Sequence, residues 1–241
     1  MRLCVGSSGY SYKEWKGSFY PDDLAAADML QFYATKLPAV EFNNTFYRLP
    51  KVSVLENWAQ QVPDDFRFAI KASRRITHMK RLKGAEDETG YLLETVQTLG
   101  GRLGVVLFQL PPNLKKYLAR LQDFIELLTP DTRAVFEFRH VSWNDDEVHA
   151  CLSERGCALC IADVDDEPEP DIVATARHDY LRLRRTRYNE ADLKRWAEKI
   201  AAQDWDEAYV FFKHEDEATG PKAATDFLDL DLEQHHKRQP K

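Results

Sequence analysis

Glu137 and Arg139 stand two residues apart in the run "FEFRH" (136–140), inside "TRAVFEFRHVSW". The run is otherwise apolar and free of turn residues, so it reads as a buried strand. Charge on such a strand is costly unless it is paired or used. The pattern recurs along the chain. Glu41 and Asn43 share one parity of "AVEFNNTF", opposite Val40 and Phe42. Lys71 opposes Ile70, Gln109 opposes Phe108 and Leu110, and Asp163 opposes Ala162 and Val164. Arg182 and Arg184 oppose Leu181 and Leu183, and Lys213 opposes Phe212, with Phe211 less clearly assigned. Successive strand residues point to opposite faces, so seven strands each turn a polar side chain away from an apolar face. Glu41, Glu137 and Asp163 are carboxylates able to act as acid and base, or to hold Mg²⁺ or Mn²⁺ with water. With Lys71 they are the catalytic candidates. Arg139, Arg182 and Lys213, joined by Lys71, suit a phosphate or carboxylate, and Asn43 and Gln109 suit its orientation.

The elements that position these residues alternate. Strand patterns cover 3–8, 39–46, 67–73, 104–111, 133–140, 158–164, 179–185 and 208–215, and amphipathic helical patterns fall between most of them. Helix stops such as Gly100-Gly101, Pro130 and Gly156, and the N-cap candidate Asn189, punctuate the helical runs. The sixth connection, "DDEPEPDIVATARH", is acidic, holds two prolines and has room for one helical turn at most. Eight β/α units in 241 residues predict an α/β fold, a single (β/α)₈ TIM barrel over 1–230 that is irregular around its sixth unit, followed by a polar tail over 231–241. In such a barrel the polar parity fills the lumen and converges on the mouth at the strand C-termini. A doubly wound sheet is disfavoured, because no G-x-G-x-x-G opens a helix after the first strand. That also removes a nucleotide-cofactor motif.

Two basic segments follow strands, "KASRRITHMKRLK" (71–83) and "RLRRTR" (182–187). Each fits either an anion site or a solvated surface. The first loop interleaves Tyr10, Tyr12, Trp15, Phe19 and Tyr20 with Lys13 and Lys16, and "NTFYR" adds Phe46, Tyr47 and Arg48. Aromatics among cations can stack on bases or sugars, or can form a satellite core under a long loop. Lys13, Tyr47, His140 and Trp143 complete the binding candidates. His78, His140 and His214 lie near strand ends but share no close spacing, which argues against a histidine-rich zinc site. Cys157 and Cys160, three apart across a strand start, face opposite ways and read as free buried cysteines.

The formal net charge of −7 removes any global attraction to nucleic acid and leaves only local patches. The four cysteines do not form a disulfide framework, the start "MRLCVGSSGY" has no apolar signal region, and no apolar run of membrane-spanning length occurs. These features predict a cytoplasmic, non-membrane protein. Nothing in the sequence fixes an oligomeric state.

The motifs "GSSGYSYKEWKGSFYP", "VEFNNTFYRLP", "FRFAIKASRRITH", "LGVVLFQLPP", "FEFRHVSW" and "YVFFKHEDEATGPKAA" together resemble the YecE-like family, also called domain of unknown function 72. The resemblance covers residues 2–228. It implies a TIM barrel and no reaction, because the family is named for lacking an assigned activity. The leading expectation is an enzyme, a candidate hydrolase, acting on a phosphate-bearing substrate, a phosphoester or a nucleic-acid backbone, at the mouth. The alternatives are a non-catalytic nucleic-acid- or partner-binding barrel and an enzyme for a sugar or carboxylate without phosphate. A divalent cation held by the carboxylates stays open as a cofactor.

Overall fold

The structure, a computed structural model, describes residues 1–213 and 218–238, with side chains as far as residue 230. The expected end of the last strand, including His214, lies outside the described residues.

Nine parallel segments form one sheet: β1 (Arg2–Ser8), β2 (Ala39–Phe42), β3 (Arg67–Lys71), β4 (Leu103–Gln109), β5 (Ala134–Glu137), β6 (Ala158–Leu159), β7 (Ile161–Asp163), β8 (His178–Leu183) and β9 (Glu207–Phe212). Their order is β6-β5-β4-β3-β2-β1-β9-β8-β7. The two ends of that order, β6 and β7, are consecutive in the chain and separated only by Cys160. They act as one stave, pairing with β5 on one side and β8 on the other. The sheet therefore comes round on itself as eight staves, the TIM-like α/β barrel that the strand count predicts.

Helices α1 (Met29–Ala34), α2 (Val52–Gln60), α3 (Glu86–Val96), α4 (Leu118–Ile125), α5 (Asp146–Glu154), α6 (Glu190–Ala201) and α7 (Thr219–Arg238) follow the strands. Between β7 and β8 no helix forms among the described residues, as the two prolines and the acid-rich composition there predict. That connection is tied down from outside: Glu169 pairs with Arg195 and Lys199 of α6. The expected tail begins inside α7, and residues 239–241 lie outside the described residues.

The apolar parity meets the helices. Val40, Phe42, Phe68, Ile70, Phe108, Phe136, Leu181, Leu183 and Phe212 belong to the large outer core. A second, smaller apolar cluster fills the lower lumen, with Cys4, Ala39, Ala69, Leu107, Val135, Tyr180, Tyr209 and Phe211 among its members. Phe211 thus shares the lumen face with Lys213. At Gly6 a Cβ would collide with the carbonyl oxygen of Ala39, so only glycine lets β1 and β2 approach there. Tyr33 locks the same spot. Its hydroxyl donates to the Ala39 carbonyl oxygen at 3.0 Å and accepts from the Ser7 N–H at 2.8 Å.

Strand ends differ from the sequence expectation where side chains take over the backbone. β2 stops at Phe42 because Asn44–Phe46 coils into a 3₁₀ turn, with Thr45 Oγ1 donating to the carbonyl oxygens of Phe42 and Lys71. β5 stops at Glu137, and His140 caps the 3₁₀ turn Val141–Trp143 by accepting the Ser142 N–H on Nδ1. Asn43, Arg139 and His140 therefore sit on loops at the mouth rather than on strands.

Candidate functional site

Four staves supply one hydrogen-bonded network beneath the mouth. Arg182 on β8 is at its centre, 2% exposed. Its guanidinium donates to Glu41 Oε1 on β2 at 2.9 Å and to Glu137 Oε2 on β5 at 2.7 Å. Each carboxylate takes further donors besides Arg182. Glu41 accepts from the Tyr180 hydroxyl at 2.6 Å and from Asn43 Nδ2 at 2.8 Å. Glu137 accepts from Gln109 Nε2 at 2.7 Å and from Arg139 Nε at 3.1 Å. Burial alone would push Glu41 upward in pKa, but the Arg182 charge and these donors outweigh it and hold the group below the usual carboxylate range. Glu137 follows the same logic, burial opposed by Arg182 and Arg139, and is held down to about 2. Both are carboxylates at neutral pH, each already accepting from three side chains.

That geometry bears on the open question of a divalent cation. The Arg182 guanidinium stands between Glu41 and Glu137, where a metal shared by the two would have to sit. Asp163 cannot join them. It lies on the outer face, a correction to its expected place at the mouth. Asp163 shares its parity with Leu159 and Ile161, and both of these pack on the outer core. There Asp163 accepts from Arg185 Nε at 2.8 Å, the Tyr188 hydroxyl at 2.9 Å and Trp196 Nε1 at 3.2 Å. Its carboxylate anchors the loop after β8 and α6 to the sixth stave. Among the described residues no cluster of three or more His, Cys, Asp or Glu side chains is placed to hold a metal ion.

Lys71 ends β3 and is 9% exposed. Among the described residues it makes no ion pair; its ammonium lies 4.5 Å from the centre of the Phe46 ring. Burial lowers its pKa, Arg182 and Arg139 lower it further against the pull of Glu41 and Glu137, and it stands at about 8. The edge of the same Phe46 ring contact is shared with His78, whose ring centre is 4.8 Å away. His78 sits on the π-helical turn Arg75–Met79 that follows β3, with Nδ1 held 2.9 Å from Thr77 Oγ1. Burial and then the charge of Lys71 lower its pKa, so it is neutral at pH 7.

Beyond the network lies a cleft of about 770 Å³ lined by Glu137, Arg139, Cys160, Arg184, Lys213 and Asp165, among others. Arg139 reaches into it with a side chain 41% exposed and one nitrogen spent on Glu137. Arg184 is partly buried, has no ion-pair partner among the described residues, and is depressed in pKa by burial and by the nearby charges of Arg182 and Arg139. Parity alone lines Arg184 up with Arg182, and the strand-end position of His78 was visible. Neither was among the site candidates. Tyr180, also absent from them, shares the lumen parity of Arg182 and was legible by the same rule.

The remaining candidates lie apart. Lys13 is exposed on the 3₁₀ turn Lys13–Trp15. Tyr47 is 71% exposed, beside Phe46 and under the guanidinium of Arg74. Trp143 is buried, stacked on Phe138 at 4.5 Å, and donates its indole N–H to the Leu114 carbonyl oxygen. In the first loop Trp15 and Tyr20 are buried and packed with Phe19, the satellite core of the two readings offered by the sequence. All four cysteines are free, as expected. No helix among the described residues is long and apolar enough to cross a membrane.

Comparison with known proteins places this barrel. A family model described as protein of unknown function DUF72 matches residues 4–241. UPF0759 protein YecE of Escherichia coli K12 is 31% identical over 140 residues, 56% of this chain and 52% of that protein, so the chain spans about half the length of this relative. UPF0759 protein YunF of Bacillus subtilis 168 is 24% identical over 224 residues, covering 88% of this chain and 78% of that one. A DUF72 family protein from Thermotoga maritima MSB8 superposes with a TM-score of 0.85 at 25% identity, over 96% of this chain and all of that one. A DUF72 family protein from Enterococcus faecalis V583 does so with a TM-score of 0.81 at 19% identity, over 95% and 94%, a likeness of fold alone. With the family model spanning nearly the whole sequence and barrels of that family superposing on it, the chain belongs to the DUF72 family, the YecE-like UPF0759 proteins.

Proposed function

We propose that the mouth of this barrel is the active site of an enzyme whose substrate carries a phosphate or phosphoester group. The observation that supports this reading is that two cations at the mouth, Lys71 and Arg184, have no carboxylate within ion-pair distance among the described residues. Glu41 and Glu137 are matched to Arg182 and partly to Arg139. Like charges crowded into a partly buried site repel one another and depress one another's pKa. A dianionic ligand relieves both costs. In this reading Arg139 and Arg184 take the phosphate oxygens, with Lys71 and Lys213 flanking. Arg182, with both terminal nitrogens spent on carboxylates, is the frame rather than the hand. Glu41 and Glu137 then position cations and are not themselves acid or base.

Titration with inorganic phosphate, followed by thermal melting, tests this. Phosphate raises the Tm of the wild type. The shift disappears in Arg184→Ala and Arg139→Ala, whose own Tm values without phosphate stay within about 3 °C of wild type, since neither is fully buried. An unchanged phosphate shift in both variants, or none in the wild type, refutes the reading.

A second reading, non-catalytic binding of a single-stranded nucleic-acid backbone, is favoured by one feature: the exposed Tyr47 ring with Arg74 over its face, at the head of the basic segment 74–83. Binding of an oligonucleotide that weakens steeply with salt and is lost in Tyr47→Ala would select it.

A further inference from the structure

We infer that Lys71 is a nucleophilic amine that forms a Schiff base with a carbonyl group of the substrate, with His78 carrying the proton. The inference deepens the proposed function, since it rests on the mouth being where a substrate binds.

The geometry begins with position. Lys71 is the last residue of β3, at the strand end where a TIM barrel builds its site. It has the surroundings of an activated amine rather than of an ion-pair lysine. Among the described residues no carboxylate is within ion-pair distance of it, its ammonium rests on the aromatic face of Phe46, and the charges acting on it are those of Arg182 and Arg139, opposed by Glu41 and Glu137. A lysine is made nucleophilic in this way, by desolvation and an adjacent cation. Burial and the charges of Arg182 and Arg139 disfavour the ammonium form and outweigh the Phe46 ring, Glu41 and Glu137, which favour it. The backbone is held firmly. The Lys71 carbonyl oxygen accepts from Thr45 Oγ1 at 2.7 Å, and the Ala72 N–H donates to the Leu107 carbonyl oxygen at 2.8 Å. His78 contacts the same Phe46 ring, and Thr77 holds its Nδ1, leaving Nε2 without a hydrogen-bond partner among the described residues. Its imidazole is neutral and can accept a proton.

The step balances without an oxidant or a metal. The lone pair of the neutral amine attacks the carbonyl carbon, the C–N bond forms, and the carbonyl π electrons move to oxygen. A proton passes from nitrogen to that oxygen through His78. Loss of the hydroxyl as water, with the second amine proton, breaks the C–O bond and leaves the C=N bond. One carbonyl compound and one amine become one imine and one water. Arg139 and Arg184 would hold an anionic group on the same substrate, so the ligand class is an aldehyde or ketone that also bears phosphate.

Reductive trapping tests this on the whole protein. The probe is pyridoxal 5′-phosphate, an aldehyde with a phosphate group, reduced with borohydride and mapped by peptide mass spectrometry. With an amine titrating at about 8, the free-amine fraction of Lys71 at pH 7 is on the order of a hundredfold above that of an exposed lysine. The expected result is a stable adduct concentrated at Lys71, rising with pH towards 8, and slowed at neutral pH in His78→Gln. Lys71→Arg, if folded, loses the adduct; mapping of the wild type gives the answer without it. Labelling of Lys71 no faster than of exposed Lys13 overturns the inference. The two readings separate through inorganic phosphate. If phosphate binds but Lys71 stays unlabelled, the Schiff base fails and the anion site stands. If a phosphate-free aldehyde labels Lys71 equally well and phosphate does not compete, the amine stands and the anion site fails.

Discussion

Two buried acids in this molecule respond to pH in opposite ways, and environment rather than residue type decides which. Glu137 sits among Gln109, Arg139 and Arg182 and is held at about 2. Asp179, at the start of β8, is 1% exposed; it accepts only the N–H of Tyr180, its other oxygen has no partner among the described residues, and burial raises its pKa well above the ordinary range. A raised carboxyl pKa means the folded state holds its proton more tightly than the unfolded chain does. Its contribution is therefore complete below the unfolded pKa and is lost as pH rises through the folded value. Asp179→Asn should stabilise the protein at pH 8 and do little at pH 4, read from Tm across that range. Arg182 makes the complementary case. Arg182→Met leaves two buried carboxylates facing each other and should cost about 3–5 kcal/mol in denaturant unfolding at pH 7.

The β1–β2 pair and the split sixth stave show what elements contribute beyond their residues. β1 meets β2 at Gly6, and Tyr33 of α1 fastens the joint from outside. Gly6→Ala forces its new methyl into the Ala39 carbonyl and pushes the strands apart, so a loss of at least about 1–3 kcal/mol is expected in chemical denaturation, with no comparable loss for Gly90→Ala on α3, where open space surrounds the glycine. The split at Cys160 works differently. Its N–H donates to the Phe136 carbonyl oxygen at 2.8 Å, so β6 stays on β5 while β7 turns to β8. Side-chain alternation continues through the split, which is why Asp163 ends up with Leu159 and Ile161 on the helix side.

At the scale of the whole molecule, the Glu41–Arg182–Glu137 network is a cross-brace. Its members are separated by 141 and 45 residues in sequence and join β2, β5 and β8 across the lumen. Two depressed carboxylates give stability that is fully present above their unfolded pKa and is lost as pH falls through that value towards the folded one, a window from about 4.5 down to about 2 for Glu137. Acid should therefore unfold the barrel cooperatively in that window. Glu137→Gln should shift the acid midpoint upward as well as lowering the stability at pH 7, measured by circular dichroism.

Periodicity was sufficient for the barrel. Eight apolar strand patterns, each with a polar parity, and the helices between them follow from alternating side-chain direction, and that rule alone turned Glu41, Lys71, Gln109, Glu137 and Arg182 inward. It also contained the position of Arg184, and through Leu159 and Ile161 the outward turn of Asp163. What the sequence could not hold was partnership. Glu137 and Arg139 look like a self-contained pair at a spacing of two. The tertiary structure instead gives Glu137 a second, buried arginine from β8 and leaves most of the Arg139 guanidinium to the cleft. It likewise decides that Lys71 rests on Phe46 rather than on a carboxylate. Direction along a strand is a local property of the backbone. Which charge meets which across the lumen depends on how the staves close and stagger, and closure is a property of all of them at once.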